Sequence, residues 1–204
     1  MSTLTIPVAH LKASLLQAAK KDIRYYLNGV YIDRTNTMTH AVATDGHRMS
    51  VFTSRLDASA DCEPFGIIIP RDIIEAAVKL AGKRSDATLA YKQEQWALDG
   101  MQFDPIDGKY PDYRKVVPAP NTGDTVPVRV NGTYLKTAEE SLNIVLGNPK
   151  GKPAPGTLRY PSEAGKAAVL HTYDAFVVLM PIRDANEPFS GMPFDASLDT
   201  PEAA

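Results

Sequence analysis

The chain has 204 residues, 44% apolar and 23% charged, with a net charge of −2 and a single cysteine, Cys62. That balance excludes collagen-like, low-complexity and wholly disordered chains. No apolar run reaches the ~20 residues of a membrane helix, and one cysteine excludes an internal disulfide and a cysteine-only metal site. Met1–Pro7 lacks the basic and apolar blocks of a leader, which predicts a cytoplasmic protein. Sixteen prolines predict stiff connections and few, short helices.

In chain order, Leu4–Pro7 reads as a short strand leading into a helical stretch over Val8–Lys21, with Val8, Leu11, Leu15 and Ala19 on one face. Strand-like runs follow at Tyr25–Ile32, Thr39–Thr44 and Arg48–Thr53, and Asp45-Gly46 signals a two-residue hairpin. The order then repeats. Gly66–Pro70 leads into a helix over Arg71–Lys83, followed by strands at Ala87–Tyr91, Gln95–Leu98 and Met101–Phe103, with turns at Asp99-Gly100 and Asp107-Gly108. Asp104–Pro127 carries five prolines and reads as a linker. A third unit follows: Pro127–Val130, a helix over Asn131–Leu146, then strands at Thr157–Tyr160, Lys166–His171 and Ala175–Met180. Asp184–Ala204 has five acidic and no basic residues and reads as a flexible tail. The helix starts, Pro7, Pro70 and Asn131, lie 63 and 61 residues apart. Three β-α-β-β-β units predict an α+β fold with antiparallel sheets and helices lining one face.

Phosphate-cradling glycine loops, nucleophile elbows and paired-cysteine sites are absent from the sequence. His10 is expected on the solvent face of the first helix, and Cys62 in a loop. Asp45 and His47 flank a glycine with the chemistry of an acid–base or metal pair, but a polar hairpin tip gives the same spacing. Charge is more informative. Lys12, Lys20, Lys21 and Arg24 against Asp22 give the first helical stretch +3. The second, with Arg71, Lys79, Lys83 and Arg84, is +2. The third, with Lys136, Lys150 and Lys152 against Glu139 and Glu140, is +1. A positive helical side suits phosphate contact; solvated helix faces fit the same counts.

Five segments occur in order: Lys21–Gly29, Val42–Met49, Ile67–Arg71, Asp107–Pro118 and Val177–Arg183. Among them Ala-Thr-Asp-Gly-His-Arg and Tyr-Pro-Asp-Tyr-Arg are specific. Together they resemble the bacterial β sliding clamp, the processivity subunit of DNA polymerase III. The resemblance implies a DNA-clamp fold, with residues 1–120 as the middle domain, 121–183 as the last half of the C-terminal domain and 184–204 as an added tail. It also implies a ring around double-stranded DNA, touched loosely by Lys12, Lys20, Lys21, Arg71, Lys79 and Lys83 and by a loop holding Arg24, Tyr25 and Tyr26. The two tyrosines read equally well as strand residues. A groove for polymerase and clamp-loader peptides would comprise Leu27, Thr44, Gly46, His47, Arg48, Met49, Pro111, Val116, Val178, Met180, Pro181, Ile182 and Arg183. No cofactor or metal is implied.

Three departures from the clamp pattern set further expectations. Three units per chain suggest a homo-oligomeric ring of four chains, meeting alternately third unit to third unit, as a composite domain, and first to first. Leu179 is an extra residue before Met180-Pro181, which would shift the groove strand. Phe189, Met192 and Phe194 in the tail would reach back as a tethered competitor, or the tail is disordered. The alternatives are a non-ring decoy for polymerase or loader peptides and a nucleic-acid enzyme using Asp45, His47 and Asp107.

Overall fold

The computed structural model describes residues 2–55, 63–118, 123–126, 128–148, 156–163 and 165–182; Cys62, Lys150, Lys152, Arg183 and the tail lie outside these residues. The first unit is β1 (Ser2–Pro7), α1 (Val8–Ser14), β2 (Gly29–Arg34), β3 (Met38–Thr44) and β4 (Arg48–Arg55). The second is β5 (Phe65–Pro70), α2 (Arg71–Ala81), β6 (Asp86–Lys92), β7 (Gln95–Leu98) and β8 (Met101–Phe103). The third is α3 (Gly132–Val145), β9 (Thr157–Arg159), β10 (Ala168–His171) and β11 (Ala175–Leu179).

All strand pairs are antiparallel, in a four-stranded sheet β1-β6-β7-β8 and a seven-stranded sheet β5-β2-β3-β4-β11-β10-β9. The units do not keep their own leading strands. β1 lies beside β6 of the second unit, and β5 lies beside β2 of the first. Along the other edge of the first unit, β4 pairs with β11, so one sheet runs across the expected boundary at residue 120. The spatial order is therefore second, first, third, with α1 packed between α2 and α3. This overturns the expected first-to-first contact between chains, because the first unit is internal. Among the described residues the four-stranded sheet ends on β1 and β8 and the seven-stranded sheet on β5 and β9.

One core lies under α1 and α2 and joins both sheets through Ile6, Leu11, Ile32, Ile69, Ile74 and Leu98. A second lies under α3, around Ala13, Phe52, Leu142 and Val177. The opposite face of the seven-stranded sheet is covered by the proline-rich linker, whose Tyr110 and Tyr113 are buried against Val42, Met49 and Val178.

Four local expectations are corrected. The first helix stops at Ser14, because Leu16 and Gln17 bond three residues back, to Ala13 and Ser14, and Gln17 turns inward to α3. Tyr25–Leu27 is a 3₁₀ turn, not a strand, since reciprocal Asp22–Asn28 bonds of 2.8 and 2.9 Å close the loop before β2. The β3–β4 hairpin turns on Gly46-His47, one residue later than expected, with Asp45 N–H donating to Arg48 O at 3.4 Å. His10, expected in solvent, is 9% exposed, because a helix flanked by two others has little outward face.

Candidate peptide-docking groove and nucleic-acid face

The β4–β11 pairing places Met49 opposite Val178. Leu27, Met49 and Val178 are buried in one cluster, and Val116 and Met180 pack on it half-buried. They form an apolar floor with two walls. Strand alternation puts Phe176, Val178 and Met180 on this side and Val177 and Leu179 on the helix side. Val178 and Met180, the two strand residues expected in the groove, thus share this side, with Leu179 on the other. Met180 N–H donates to His47 O at 2.9 Å, which ties the strand exit to the hairpin tip. Thr44 and Pro181 are half-buried at the margin, and Gly46, His47, Pro111 and Ile182 are exposed.

The rim is built from charge pairs. Asp45 accepts from the backbone N–H groups of His47 and Arg48 at 2.9 and 3.0 Å and pairs with Arg48 Nε at 3.0 Å. Arg24 makes a two-point contact to Asp22, at 3.0 and 2.8 Å, and reaches Asp45 O at 3.0 Å. Those bonds hold the Asp22 carboxyl down at about 2 and push the Arg24 guanidinium up. Gly46 has φ +91°, a conformation that favours glycine, and a Cβ there would sit 2.7 Å from Arg24 Nη1, so a larger residue would also displace the Arg24 guanidinium.

Sequence reasoning missed the far rim. Arg48 lies 4.8 Å over the Tyr134 ring and donates to Thr137 Oγ1, and His47 stacks on Tyr134 at 6.1 Å. Asn131 caps α3 by accepting from Thr133 N–H, placing Tyr134 and Thr137 in its first turns. The cap was legible; that this turn faces the hairpin depends on the β4–β11 junction. A cavity of about 630 Å³ adjoins Val116, lined by Lys115, Arg159, Lys166, Val169 and Phe176 among others.

The Asp45 carboxylate is spent on Arg48 and the turn, while His47 faces Tyr134; the two are not a hydrogen-bonded acid–base pair. No group of three or more possible metal ligands occurs among the described residues.

On the helix side, Lys12, Lys20, Lys21, Lys79 and Lys83 are exposed and make no ion pair among the described residues. Arg24 and Arg71 are committed internally, Arg71 to Glu75 at 2.7 Å and Ala18 O at 3.2 Å. Tyr25 is 58% exposed, whereas Tyr26 packs on the groove-side cluster. The exposed side of α3 holds Lys136, Glu139 and Glu140, a net of −1, so the positive count expected there rests on Lys150 and Lys152, outside the described residues.

Residues 9–112 match the family model of the DNA polymerase III beta subunit, central domain. The chain belongs to the DNA polymerase III beta subunit family. Among curated relatives, the beta sliding clamp of Vibrio cholerae is 35% identical over 67% of this chain and 43% of its own length. That of Caulobacter vibrioides is 31% identical over 65% and 39%. The chain thus spans less than half of these relatives. The Caulobacter crescentus beta sliding clamp structure gives a TM-score of 0.70 at 19% identity, over 90% of this chain and 66% of that one. The DNA polymerase III subunit beta of Pseudomonas aeruginosa gives 0.67 at 20% identity, with the same coverage. The clamp fold therefore extends beyond the central-domain match, into the third unit. No helix among the described residues is long and apolar enough to cross a membrane.

Proposed function

We propose that this chain is a clamp-type processivity factor, a binding protein rather than an enzyme. Its groove holds linear peptides of a polymerase or clamp loader, while copies joined in a ring turn the helix row toward duplex DNA. The observation that carries the reading is the β4–β11 junction, which gathers Leu27, Met49, Val116, Val178 and Met180 into one apolar face beneath a rim of His47, Arg48 and Tyr134. Leucine- and phenylalanine-type anchors fit the floor, methionines adapt to varied shapes, and the rim meets polar groups. Exposed lysines on the helix side suit sequence-independent phosphate contacts, which exchange as the protein slides.

The test is fluorescence anisotropy with a labelled peptide carrying leucine and phenylalanine anchors. Met180→Ala with Pro181→Ala weakens binding by about 1 kcal/mol or more, the effect of removing a central wall; unchanged affinity refutes the groove. Duplex binding is weak on linear DNA and falls steeply with salt. The acidic exposed side of α3 favours one second reading, a decoy that binds peptides without encircling DNA. A protein that binds peptide but is never retained on circular DNA, with a loader present, is that decoy.

A further inference from the structure

The apolar floor of the groove does not stop at β11. Antiparallel partners share one face of a sheet, and the register carries a single row across four strands: Met49 on β4, Val178 on β11, Val169 on β10 and Arg159 on β9. A row that starts in the groove therefore ends on a cation at the last strand of the sheet. Val116 and Phe176, which pack on the groove-side cluster, also line the cavity of about 630 Å³. Val169 and Arg159 line the same cavity, so it continues the floor rather than standing apart from it.

Its charge differs from that of the floor. Lys115, Arg159 and Lys166 stand around it against one carboxylate, Glu163. Arg159 is exposed and makes no ion pair among the described residues, while Lys115 and Lys166 meet Asp112 and Glu163, three residues away in sequence, at 3.2 and 3.8 Å. Pairs this exposed contribute little and leave both lysines able to meet another anion.

We propose that this cavity is a further pocket of the groove and takes an acidic side chain of the partner peptide, a glutamate or aspartate about three residues from the anchor seated on Val178. Val178 and Arg159 lie two strands apart, ~9–10 Å, which an extended peptide covers in about three residues. The occupant is a peptide rather than duplex DNA because of the face. The exposed lysines of α1 and α2 belong to the helix side, whereas Val169 and Phe176 lie on the opposite side of the sheet with Val178. The pocket rests on the groove reading above, since an anchored peptide must deliver the acid. Anchoring is also what makes weak exposed charges count: once the apolar residues are seated, the carboxylate meets the cations at a high effective concentration. The floor would accept many leucine- or phenylalanine-bearing segments, and the cavity would select the acidic ones among them.

Fluorescence anisotropy with end-capped peptides that share leucine and phenylalanine anchors tests this. One peptide has glutamate about three residues before its first anchor, another has it about three residues after its last, and a twin has alanine at both places. At low salt one glutamate peptide binds about two- to fivefold tighter than the twin, the range of exposed ion pairs, and the advantage shrinks as salt is added. In Arg159→Glu with Lys166→Glu the order reverses, and lysine at that place binds tighter than glutamate. Both glutamate peptides binding no tighter than the twin, or a glutamate preference that survives the charge reversal, overturns the proposal. Deleting residues 184–204, which hold five acidic residues, leaves the preference as it was; a gain for the glutamate peptide on deletion assigns the cavity to the chain's own tail and overturns it too. A twin that does not bind the wild type sinks the groove and this pocket together, whereas a twin that binds with no preference for the acid sinks the pocket alone.

Discussion

His10 should make the stability of this protein fall as the solution becomes mildly acidic. Its imidazole sits between α1 and β4, with its ring 6.0 Å from Phe52, and burial lowers its pKa from 6.5 to about 4, partly offset by Asp174 and Asp86. The native state keeps the ring neutral while the unfolded chain takes up a proton near 6.5. The unfolded state thus binds more protons between these values, and stability rises with pH across the window. The contribution is fully present above pH 6.5 and is lost as pH falls toward 4. Linkage gives a loss of about 1.4 kcal/mol at pH 5.5 and about 2.5 kcal/mol at pH 4.5. The assay is urea unfolding at pH 7, 5.5 and 4.5 for the wild type and His10→Leu, a neutral side chain of similar bulk. The variant should lose about 2.5 kcal/mol less between pH 7 and 4.5 than the wild type. Equal losses, or an imidazole resonance titrating above pH 6, would refute the burial argument.

Two further outcomes test the junction and the helix row. Gln17 is fully buried and donates to Thr137 O at 3.1 Å and Ser141 Oγ at 2.8 Å, so Gln17→Ala should cost about 1–3 kcal/mol in chemical unfolding; no change in the midpoint would show that α1 and α3 do not depend on it. Lys79→Glu with Lys83→Glu should weaken duplex binding at low salt and flatten its log–log salt dependence by about 0.9 per lost phosphate contact; an unaltered slope would place the duplex elsewhere.

What was legible in the sequence is what short-range physics writes into it. The leading strands β1 and β5 and all three helix starts are carried by apolar spacing and a proline or asparagine at the boundary, whereas Val128–Val130, expected as the third leading strand, belong to no strand. Asp99-Gly100 was legible as a hairpin, and both residues have positive φ, 49° and 82°. Gln93 and Glu94 turn the same way, at 51° and 61°, without a glycine to announce it, because Lys92 and Gln95 are held opposite each other by the flanking strands. The exchange of β1 and β5 was not legible, since an alternating pattern says which face a residue takes but not which strand, some sixty residues away, lies beside it. Tyr110 and Tyr113 read as linker residues from their prolines. Their burial comes from Tyr31, stacked on Tyr110 at 4.8 Å, and from Asp33, which accepts from the Tyr113 hydroxyl at 2.7 Å. Of the proposed groove, the residues that share its apolar floor were named through their motifs, whereas Tyr134 and Thr137 required the junction.

The two proposed binding surfaces differ in what they need from other copies. Every described groove residue belongs to the first or third unit or to the linker between them, and the sheet joining those units is continuous through β4 and β11. One copy can therefore present a complete groove at any concentration. The helix row cannot act alone in the same way. Three helices side by side form a row with two ends, and such a row holds DNA only by salt-sensitive contacts, of which α3 contributes few. On the proposed reading, retention on circular DNA demands closure with other copies, and peptide capture does not. A variant that prevents closure should release DNA at unchanged peptide affinity. If both were lost together, the groove would have to depend on a neighbouring copy, contrary to the intrachain junction that builds it.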